Sequence, residues 1–333
     1  MSSKDKVAFI VVGWNNADIL PECFESIARQ TYANIDTYYV DNDSKDDSVA
    51  MVRGRFPSVK IIQPGSNTGF ARGNNIGICE AFKDPEVAYI ALLNSDARLA
   101  DDWTERIVTF AATKPRGALY QGTTLDYYDP AIMDSTHIYI SRNGQGTQGS
   151  WRHYYQSDMG PKKVFGVNAA ASVMTRAFLE AQPFTGGVFD ERMFMYLEDL
   201  DIATRATVLG WDNYLVPGAR AFHMGSASSG KNPGWSLYMT FRNNSALLYK
   251  NLPARMLFKM LPHVMRADID TIRALRRTGK KAAARKVLKG RVVGLLRLPL
   301  YARKRSAMLK AKAAAGATAV PPDYIWLLML RGY

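Results

Sequence analysis

The first hundred residues alternate between short apolar runs and longer stretches whose apolar residues recur at helical spacing. Leu20, Phe24 and Ile27 form such a row in the segment after the first apolar run. Strands that are separated by helices pair in parallel through right-handed crossovers, which places helices on both faces of the sheet. The sequence therefore predicts an α/β chain with a mostly parallel sheet and flanking helices, with strands at 7–14, 37–42, 59–64 and 87–94 and helices at 19–30, 44–56, 71–82 and 103–113.

For the remainder of the chain, the sequence pattern predicts a less regular middle part and then a helical part that begins at Trp235. Gly, Gln, Ser and Asn are frequent in the middle part, which is typical of loops and turns. The expected elements are a long loop or hairpin at 117–165, a buried strand at 165–175, an irregular start and then a helix at 189–210, a short edge strand and a loop at 211–225, and helices at 266–289 and 291–312.

Polar residues follow the predicted strands at the point where each strand ends. The fourth strand stops at Asn94, Ser95 and Asp96. The carboxyl ends of parallel strands share one edge of the sheet, and open α/β sheets bind their ligands there. An aspartate in this position suits a divalent cation that is held against a diphosphate. Similar polar groups occur at 11–16, 41–44, 67–75 and 198–201, and His223 follows the last of them.

Each of these groups also has a purely structural interpretation. Asp41 is suited to cap the next helix, and Gly69 to form a turn. The acids at 198–201 suit a solvated first helical turn, and an isolated histidine such as His223 is commonly a hydrogen-bonded structural residue. Because all the groups fall at the same edge of one predicted sheet, we favour a shared binding site over five independent structural explanations.

Six segments together resemble the family 2 glycosyltransferases, the inverting enzymes with the Rossmann-like GT-A fold. They lie between residues 6 and 250 and read VVGWNN, VDNDS, NTGFARGNN, LLNSDARL, FDERMFMYLEDLDIATR and YMTFRNN. Within that family the chain is most similar to the bacterial rhamnosyltransferase-like branch. The resemblance implies inverting transfer of a sugar, with dTDP-L-rhamnose as the favoured donor, to a lipid-linked glycan in cell-surface polysaccharide synthesis. Another UDP-, GDP- or dTDP-sugar is the alternative donor.

The resemblance also implies a set of residues that bind the nucleotide sugar. Asp41 would accept a hydrogen bond from the imide N–H of a pyrimidine base, and Asn67, Gly69 and Arg72 would line the nucleotide. Arg242 would contact a diphosphate, with a surface position as the alternative. The complete expected set is Val12, Asn15, Asp41, Asn67, Gly69, Arg72, Asn75, Ser95, Asp201 and Arg242.

A divalent cation is implied by the same resemblance. Asp96 matches the last aspartate of the family's DXD-type motif, which binds Mg²⁺ or Mn²⁺, and Asn94 stands at the first position of that motif. The motif therefore supplies one carboxylate instead of two, and the cation needs a second protein ligand. His223 matches a position that supplies this ligand in some relatives.

The catalytic base is implied in the segment FDERMFMYLEDLDIATR. Asp199 matches the base of the family, which removes the proton of the acceptor hydroxyl during inversion. Glu198 and Asp201 would orient Asp199 or hold sugar hydroxyls. Clustered carboxylates raise one another's pKa, which favours a base that works near neutral pH.

All the excess positive charge is concentrated in one C-terminal segment. Residues 250–312 hold 19 Lys and Arg but only two acids, a net charge of +17, whereas residues 1–249 carry −4. The cations alternate with Leu, Val and Ala at helical spacing, which is typical of an interfacial membrane anchor. We therefore expect a catalytic domain at 1–250 and a basic helical extension at 251–333 that binds an anionic membrane surface. The apolar residues 324–330 would insert into the bilayer, or dock on the body or on a second subunit of a homo-oligomer.

Two other function classes fit the sequence less well. Nucleic-acid binding through the basic segment would usually involve cations interleaved with base-stacking aromatics, whereas here the cations alternate with Leu, Val and Ala. A nicotinamide-dependent oxidoreductase needs G-x-G-x-x-G after the first strand, and Gly13 is followed by Trp14, Asn15 and Asn16 instead. A merely solvated helical hairpin is the structural alternative for the basic segment.

Cysteine usage and hydropathy point to the cytoplasm. Cys23 and Cys79 lie in predicted helices among apolar neighbours and form neither a disulfide framework nor a CxxC metal site, which fits a reducing compartment. The first apolar run is too short for a signal peptide, and no stretch approaches the roughly 20 apolar residues that span a bilayer. We expect a cytoplasmic enzyme that associates peripherally with the inner face of the cell membrane.

Overall fold

The computed structural model describes residues 5–183, 187–225 and 233–316. Strands and helices alternate in the first half of the chain, and within the described range 233–316 all the elements are helices. The strands are β1 (Lys6–Gly13), β2 (Ile35–Asp41), β3 (Lys60–Ile62), β4 (Val87–Leu93), β5 (Ala97–Leu99), β6 (Gly117–Asp126), β7 (Met133–Ser135), β8 (His137–Ile140), β9 (Gly146–Gly149), β10 (Lys162–Val164), β11 (Ala171–Thr175) and β12 (Asp212–His223). The helices are α1 (Leu20–Ala28), α2 (Ser48–Arg55), α3 (Gly69–Ala81), α4 (Trp103–Ala111), α5 (Arg176–Glu180), α6 (Glu198–Val208), α7 (Pro233–Asn251), α8 (Ala254–Arg277), α9 (Lys281–Leu296) and α10 (Ala302–Ala315), with short 3₁₀ turns at Glu191–Met193 and Leu298–Tyr301.

Most of the described strands join one mixed sheet in the order β10-β12-β6-β11-β4-β1-β2-β3, to which β5 and β7 add at β12 and β6. β1 pairs in parallel with β2 and β4, β2 with β3, and β6 with β12. β11 runs antiparallel to both of its neighbours, β4 and β6, so those two strands keep a common direction. The carboxyl ends of β1, β2, β4, β6 and β12 therefore lie at one edge of the sheet.

Helices cover both faces of this sheet because successive residues of a strand point to opposite sides. Val7, Phe9 and Val11 of β1 pack in one core with α1 and α4. Ala8 and Ile10 pack on the other face with α3, α5 and α6. The predicted α/β class is confirmed, and the first four strands and four helices form close to their predicted bounds.

β6 is a buried ten-residue strand at the centre of the sheet, where the sequence predicts a loop or hairpin. The sequence of this strand contains polar residues, which do not predict a buried strand. They are nevertheless buried, because their side chains are hydrogen-bonded. The Gln121 side-chain oxygen accepts from the backbone N–H of Asn168 at 2.6 Å, and the Thr123 hydroxyl donates to the Pro217 carbonyl at 3.1 Å. A hairpin does occur in this region, formed by β8 and β9.

β12 also differs from its prediction, because it has twelve residues and lies between β10 and β6 rather than at an edge. Pro217 and Gly218 interrupt the apolar pattern, and the pairing with β6 shifts register between Leu215 and Arg220. The predicted strand at 165–175 is shorter in the structure, where β11 begins at Ala171.

The C-terminal helices share a core with the α/β part of the chain. Leu200 of α6, Leu247 of α7 and Met260 of α8 belong to one cluster of buried residues. The break between the last long helices falls at 278–280 rather than at the predicted position near Gly290, which lies inside α9. None of the described helices is both long and apolar enough to cross a bilayer. The apolar residues 324–330 lie outside the described residues, and Cys79 is exposed rather than packed among apolar neighbours.

Two glycines of α9 allow close packing on α7. A Cβ at Gly290 would lie 2.5 Å from the Tyr238 carbonyl oxygen, and one at Gly294 would lie 2.6 Å from that of Arg242. We expect Gly290→Ala to destabilise the protein by about 1–3 kcal/mol, because the two helices must separate. Gly54→Ala in α2, where a Cβ meets nothing within 4 Å, should stabilise it by about 0.4–1 kcal/mol. Urea unfolding measures both changes, and equal effects of the two substitutions would contradict the packing argument.

Candidate active site

The predicted site residues converge at the carboxyl edge of the sheet. Asp41 ends β2, Asn94 follows β4, and His223 ends β12. β5 pairs antiparallel with β12 and sets Ala97 opposite His223, which brings Asp96 beside the imidazole. The sheet topology thus assembles groups that are far apart in the sequence.

His223 lies between two carboxylates. Its Nε2 is 3.4 Å from Asp96 Oδ1, and its Nδ1 is 2.9 Å from Asp134 Oδ2. Burial alone would lower the pKa of His223, but the hydrogen bonds with Asp134 and Asp96 outweigh that effect and raise the pKa to about 10. Sequence reasoning missed Asp134, because no motif marks it and only the pairing of β7 with β6 brings it to this edge.

When the Nε2 proton of His223 is released on metal binding, the donor set fits a divalent cation that has few protein ligands. A histidine that binds a metal through one ring nitrogen usually donates its other N–H to a carboxylate, as Nδ1 of His223 does to Asp134. Asn94 Oδ1 is buried without a hydrogen-bond partner beside this pair. Within the described residues no three His, Cys, Asp or Glu side chains are grouped to hold one ion. The other ligands would therefore be diphosphate oxygens and water, as is usual for Mg²⁺.

We expect Asp134→Asn to weaken Mn²⁺ binding about 10–100-fold, because a neutral amide orients the His223 ring less firmly and makes Nε2 a poorer ligand. Titration calorimetry with Mn²⁺ and a nucleoside diphosphate measures the loss. Asp158→Asn, at an exposed position, is the matched control and should bind like the unmodified protein. Equal affinity in the two variants would remove Asp134 from the metal site.

Asp199 lies in the first turn of α6, close to the turn that holds Asn94. Its Oδ1 accepts from the backbone N–H of Leu200 at 2.7 Å, and its carboxylate also accepts from the backbone N–H of Ala169. The next carbonyl, that of Ala170, accepts from the backbone N–H of Asn94 at 2.8 Å. The segment before β11 thus links the predicted base to the predicted metal motif.

The carboxyl groups of Glu198 and Asp199 both have a raised pKa. Burial is the main cause at Glu198, and the charge of Asp199 raises the pKa further. At Asp199 burial outweighs the backbone hydrogen bonds, which lower the pKa. Glu198 Oε2 is buried without a hydrogen-bond partner. The arrangement favours a proton on Glu198 and a negative charge on Asp199 near neutral pH.

The loop that leads into α6 has a strained backbone. Phe194, Tyr196 and Leu197 adopt φ values of 64°, 73° and 68°, which non-glycine residues rarely adopt. Asn243 of α7 holds this loop, because its side-chain amide donates to the carbonyls of Met193, Met195 and Tyr196 at 2.8–2.9 Å. Strain of this kind clusters at functional sites. Asn243 is a second site residue that sequence reasoning missed.

Asp201 is predicted to orient Asp199 or to hold sugar hydroxyls, but its hydrogen bonds and ion pairs go to other residues. It is fully buried on another side of α6, where Oδ2 is 2.9 Å from Lys250 Nζ and 3.3 Å from Arg205 Nε. Asn251 donates to its other oxygen at 2.6 Å. Lys250 also pairs with Asp190 at 2.8 Å. These residues form a buried charge cluster that joins α6 to α7 and to the 187–193 segment.

The side chains of Asn75 and Arg242 are engaged with backbone carbonyls and N–H groups of the segment before α6, and their role as donor ligands stays a prediction. The Asn75 amide exchanges hydrogen bonds of 2.8 and 3.0 Å with the N–H and carbonyl of Phe189. The Arg242 guanidinium donates to the carbonyls of Arg192 and Met193. Both side chains position the segment that precedes the base.

The first nucleotide candidates form a connected group after β1 and β2. The Asp41 carboxylate accepts from the Tyr39 hydroxyl at 3.2 Å and from the backbone N–H of Ser44 at 3.3 Å. Asn15 Oδ1 accepts from the backbone N–H of Lys45 at 2.6 Å. Ser95 lies nearby, where its Oγ accepts from the Asn16 side chain at 2.5 Å. Val12 is half-buried next to Gly73 of α3.

The remaining candidates lie at the start of α3. Gly69 has a φ of 76°, and a Cβ there would clash with Phe194. Asn67 accepts from the Gly69 N–H at 3.0 Å, and Asn42 binds both the Gly69 carbonyl and Thr68. Arg72 is exposed, with Glu191 3.8 Å away, so its guanidinium can reach a ligand at this edge. These contacts leave the assignment of the nucleotide pocket as a prediction.

Comparison with known proteins bears on the family and the fold of the chain. The glycosyl transferase family 2 model matches residues 8–181. The N-acetylglucosaminyl-diphospho-decaprenol L-rhamnosyltransferase of Mycobacterium tuberculosis is 25% identical over 248 residues, which are 69% of this chain and 79% of that protein.

Two solved glycosyltransferases share the fold. A mannosyltransferase from Pyrobaculum calidifontis, in complex with GDP-Man and Mn²⁺, has a TM-score of 0.55 at 15% identity over 93% of this chain and 86% of its own. GalNAc-T7 with UDP, GalNAc and Mn²⁺ has a TM-score of 0.56 at 13% identity over 73% of this chain and 47% of its own. The GT-A fold expected from the sequence is thereby confirmed.

Proposed function

Because the chain belongs to glycosyl transferase family 2, we propose that it is an inverting, metal-dependent enzyme that moves a sugar from a nucleoside diphosphate to a glycan hydroxyl. The observation that carries this proposal is the convergence of Asp96, His223 and Asp199 at one edge of the sheet. A divalent cation and an isolated base are the two groups that such a transfer needs.

In the proposed mechanism Asp199 removes the proton of the acceptor hydroxyl. The base must stand on the face of the sugar opposite the leaving diphosphate, so that attack inverts the anomeric carbon. The proton on Glu198 keeps the negative charge on Asp199, and Asn243 holds the strained loop that sets its position. A cation bound by Asp96 and His223 would neutralise the charge that develops on the leaving diphosphate.

The favoured donor is dTDP-L-rhamnose, and the favoured acceptor is a lipid-linked glycan. The relative from M. tuberculosis supports both choices, since its name specifies L-rhamnosyl transfer to N-acetylglucosaminyl-diphospho-decaprenol. Such an acceptor lies in a membrane, and the basic C-terminal helices would hold the enzyme at its cytoplasmic face. A homo-oligomer is compatible with these assignments, and other UDP-, GDP- or dTDP-sugars are the alternative donors.

A donor panel tests the sugar assignment. In the presence of Mn²⁺, dTDP-L-rhamnose should raise the melting temperature more than UDP-glucose, UDP-GlcNAc, GDP-mannose or dTDP alone, because ligands that bind only the folded state stabilise it. Asp41→Asn should reduce the shift for pyrimidine nucleotides. A larger shift in melting temperature with a GDP-sugar would overturn the assignment of dTDP-L-rhamnose as the donor. The proposal that the protein is a transferase would then still be tested by the transfer assay.

A further inference from the structure

α8 carries two apolar rows on different sides. Met256, Met260 and Val264 recur every four residues and are buried in the core that α8 shares with α6 and α7. The other row is exposed to solvent, and Phe258 is exposed by 75%. A surface helix normally presents polar residues on this side. The exposed row consists of Phe258, Leu261, Met265 and Ile269.

α9 adds a second exposed row along the same helical hairpin. The ion pair of Arg291 with Asp268, at 2.6 Å, fixes how α8 and α9 align. α9 packs on α7 through Gly290 and Gly294, so its opposite side is open to solvent. The exposed row on that side consists of Leu288, Val292, Leu295 and Leu296. The two rows together are termed the apolar face, and it lies on the side of the hairpin away from α7.

Cations border the apolar face along both helices. On α8 they recur at helical spacing beside the exposed row, at Arg255, Lys259, Arg266, Arg273 and Arg277. On α9, Lys281, Arg285 and Lys289 recur every four residues and are exposed. The hairpin has two acids, of which Asp268 is paired with Arg291. An apolar strip with cationic borders matches the headgroup region of an anionic bilayer.

The same charges disfavour other occupants of this face. Two copies of the chain would bring two strongly cationic surfaces together, which costs electrostatic free energy. Nucleic acid would neutralise the cations, but seven of the eight side chains are aliphatic or methionine and offer no ring on which a base can stack.

We propose that this protein lies on an anionic bilayer through the apolar face of the α8–α9 hairpin. The apolar side chains enter the boundary between headgroups and acyl chains, and the bordering cations contact lipid phosphates. This inference deepens the membrane association proposed above by naming its surface, and it does not depend on which sugar is transferred.

Vesicle flotation of the full chain tests this surface. We expect binding to phosphatidylcholine vesicles that contain about 30% phosphatidylglycerol, at least about tenfold weaker binding to pure phosphatidylcholine, and release as NaCl rises from about 0.1 to 0.5 M. Phe258→Ser combined with Met265→Ser should lower the bound fraction at least about fivefold, with an unchanged melting temperature. Tyr154→Ser is the matched control, because Tyr154 is 76% exposed and lies outside the hairpin.

The proposal would be overturned if the double variant floated with the vesicles to the same bound fraction as the unmodified protein. A second outcome would also overturn it: the unmodified chain binds no vesicles and forms a dimer in light scattering, and the double variant is a monomer. In that case a second copy of the chain would cover the apolar face. Absence of vesicle binding in the full chain would equally contradict it and would favour cover by residues 317–333. Sugar transfer to a soluble acceptor should be equal in the double variant and the control, so a failure of the docking surface stays separate from a failure of the proposed reaction.

Discussion

Replacing Asp199 with asparagine is expected to lower the rate of sugar transfer by about 10²–10⁴-fold, because the amide cannot take the proton of the acceptor hydroxyl. Affinity for the donor should be nearly unchanged, since asparagine keeps the volume of the side chain and an acceptor oxygen for the Leu200 and Ala169 N–H groups. Initial rates of transfer and calorimetric donor titrations measure the two quantities separately.

Glu198→Gln is the variant to compare with Asp199→Asn. Burial with Oε2 unpartnered, beside the charge of Asp199, raises the pKa of Glu198 and favours its neutral form, and glutamine mimics a neutral glutamic acid in shape. We therefore expect Glu198→Gln to retain most of the transfer rate, and Asp158→Asn to retain all of it. A loss in Glu198→Gln that equals the loss in Asp199→Asn would contradict the assignment of Asp199 as the base.

The pH dependence of the transfer rate is an independent test of the roles of Glu198 and Asp199. Burial raises the pKa of Asp199 above the ordinary value of 3.8. Because the base must be ionised, the rate should rise with pH over a range above that of an ordinary aspartate. The rate of Asp199→Asn should lack this rise.

Lys250→Met is expected to destabilise the protein by about 3–5 kcal/mol, which is the usual cost of removing one partner from a buried ion pair. Lys250 is fully buried and lies 2.8 Å from Asp190 and 2.9 Å from Asp201. Lys304 of α10 also pairs with Asp190, at 3.0 Å. Methionine keeps the volume but removes the cation that bridges Asp190 and Asp201, which leaves Asp190 with Lys304, and Asp201 with Arg205 at 3.3 Å.

Urea unfolding measures this loss. Lys286→Met, at an exposed position of α9, should change stability by less than about 0.5 kcal/mol. We also expect Lys250→Met to lower the transfer rate, because the buried charge cluster fixes α6, which carries Asp199. Equal stability of the two variants would show that the cluster does not hold α6 in place.

The sequence predicts those parts of the fold that depend on local patterns. The first four strands and helices follow from apolar periodicity, and Asp96, Asp199 and His223 follow from motif resemblance. β6 could not be predicted correctly, because Gln121 and Thr123 are buried through hydrogen bonds that only the folded sheet supplies. Asp134 and Asn243 were missed for the same reason, since their contacts join segments far apart in sequence. The full length of β12 is hidden by Pro217 and Gly218, which interrupt its apolar pattern.

Three predicted site residues make contacts that the sequence does not reveal, for a related physical reason. Asp201 stands two residues from Asp199 in the sequence, but this spacing turns it to a different side of the helix, where Lys250 and Arg205 surround it. Asn75 and Arg242 are polar residues in motif segments, and their backbone contacts depend on how the 187–193 segment folds over α3 and α7. Sequence identifies such residues as part of the site region but does not distinguish ligand contact from positioning.

Transfer of labelled sugar from a nucleoside diphosphate donor to a lipid-linked GlcNAc acceptor, followed by NMR of the product, tests the central claim most directly. We expect transfer from dTDP-L-rhamnose with inversion at the anomeric carbon, loss of transfer in EDTA, and recovery when Mn²⁺ or Mg²⁺ is added. Retention of configuration would contradict the role of Asp199, transfer that persists in EDTA would contradict the metal site at Asp96 and His223, and absence of transfer from every nucleotide sugar would contradict the proposed function.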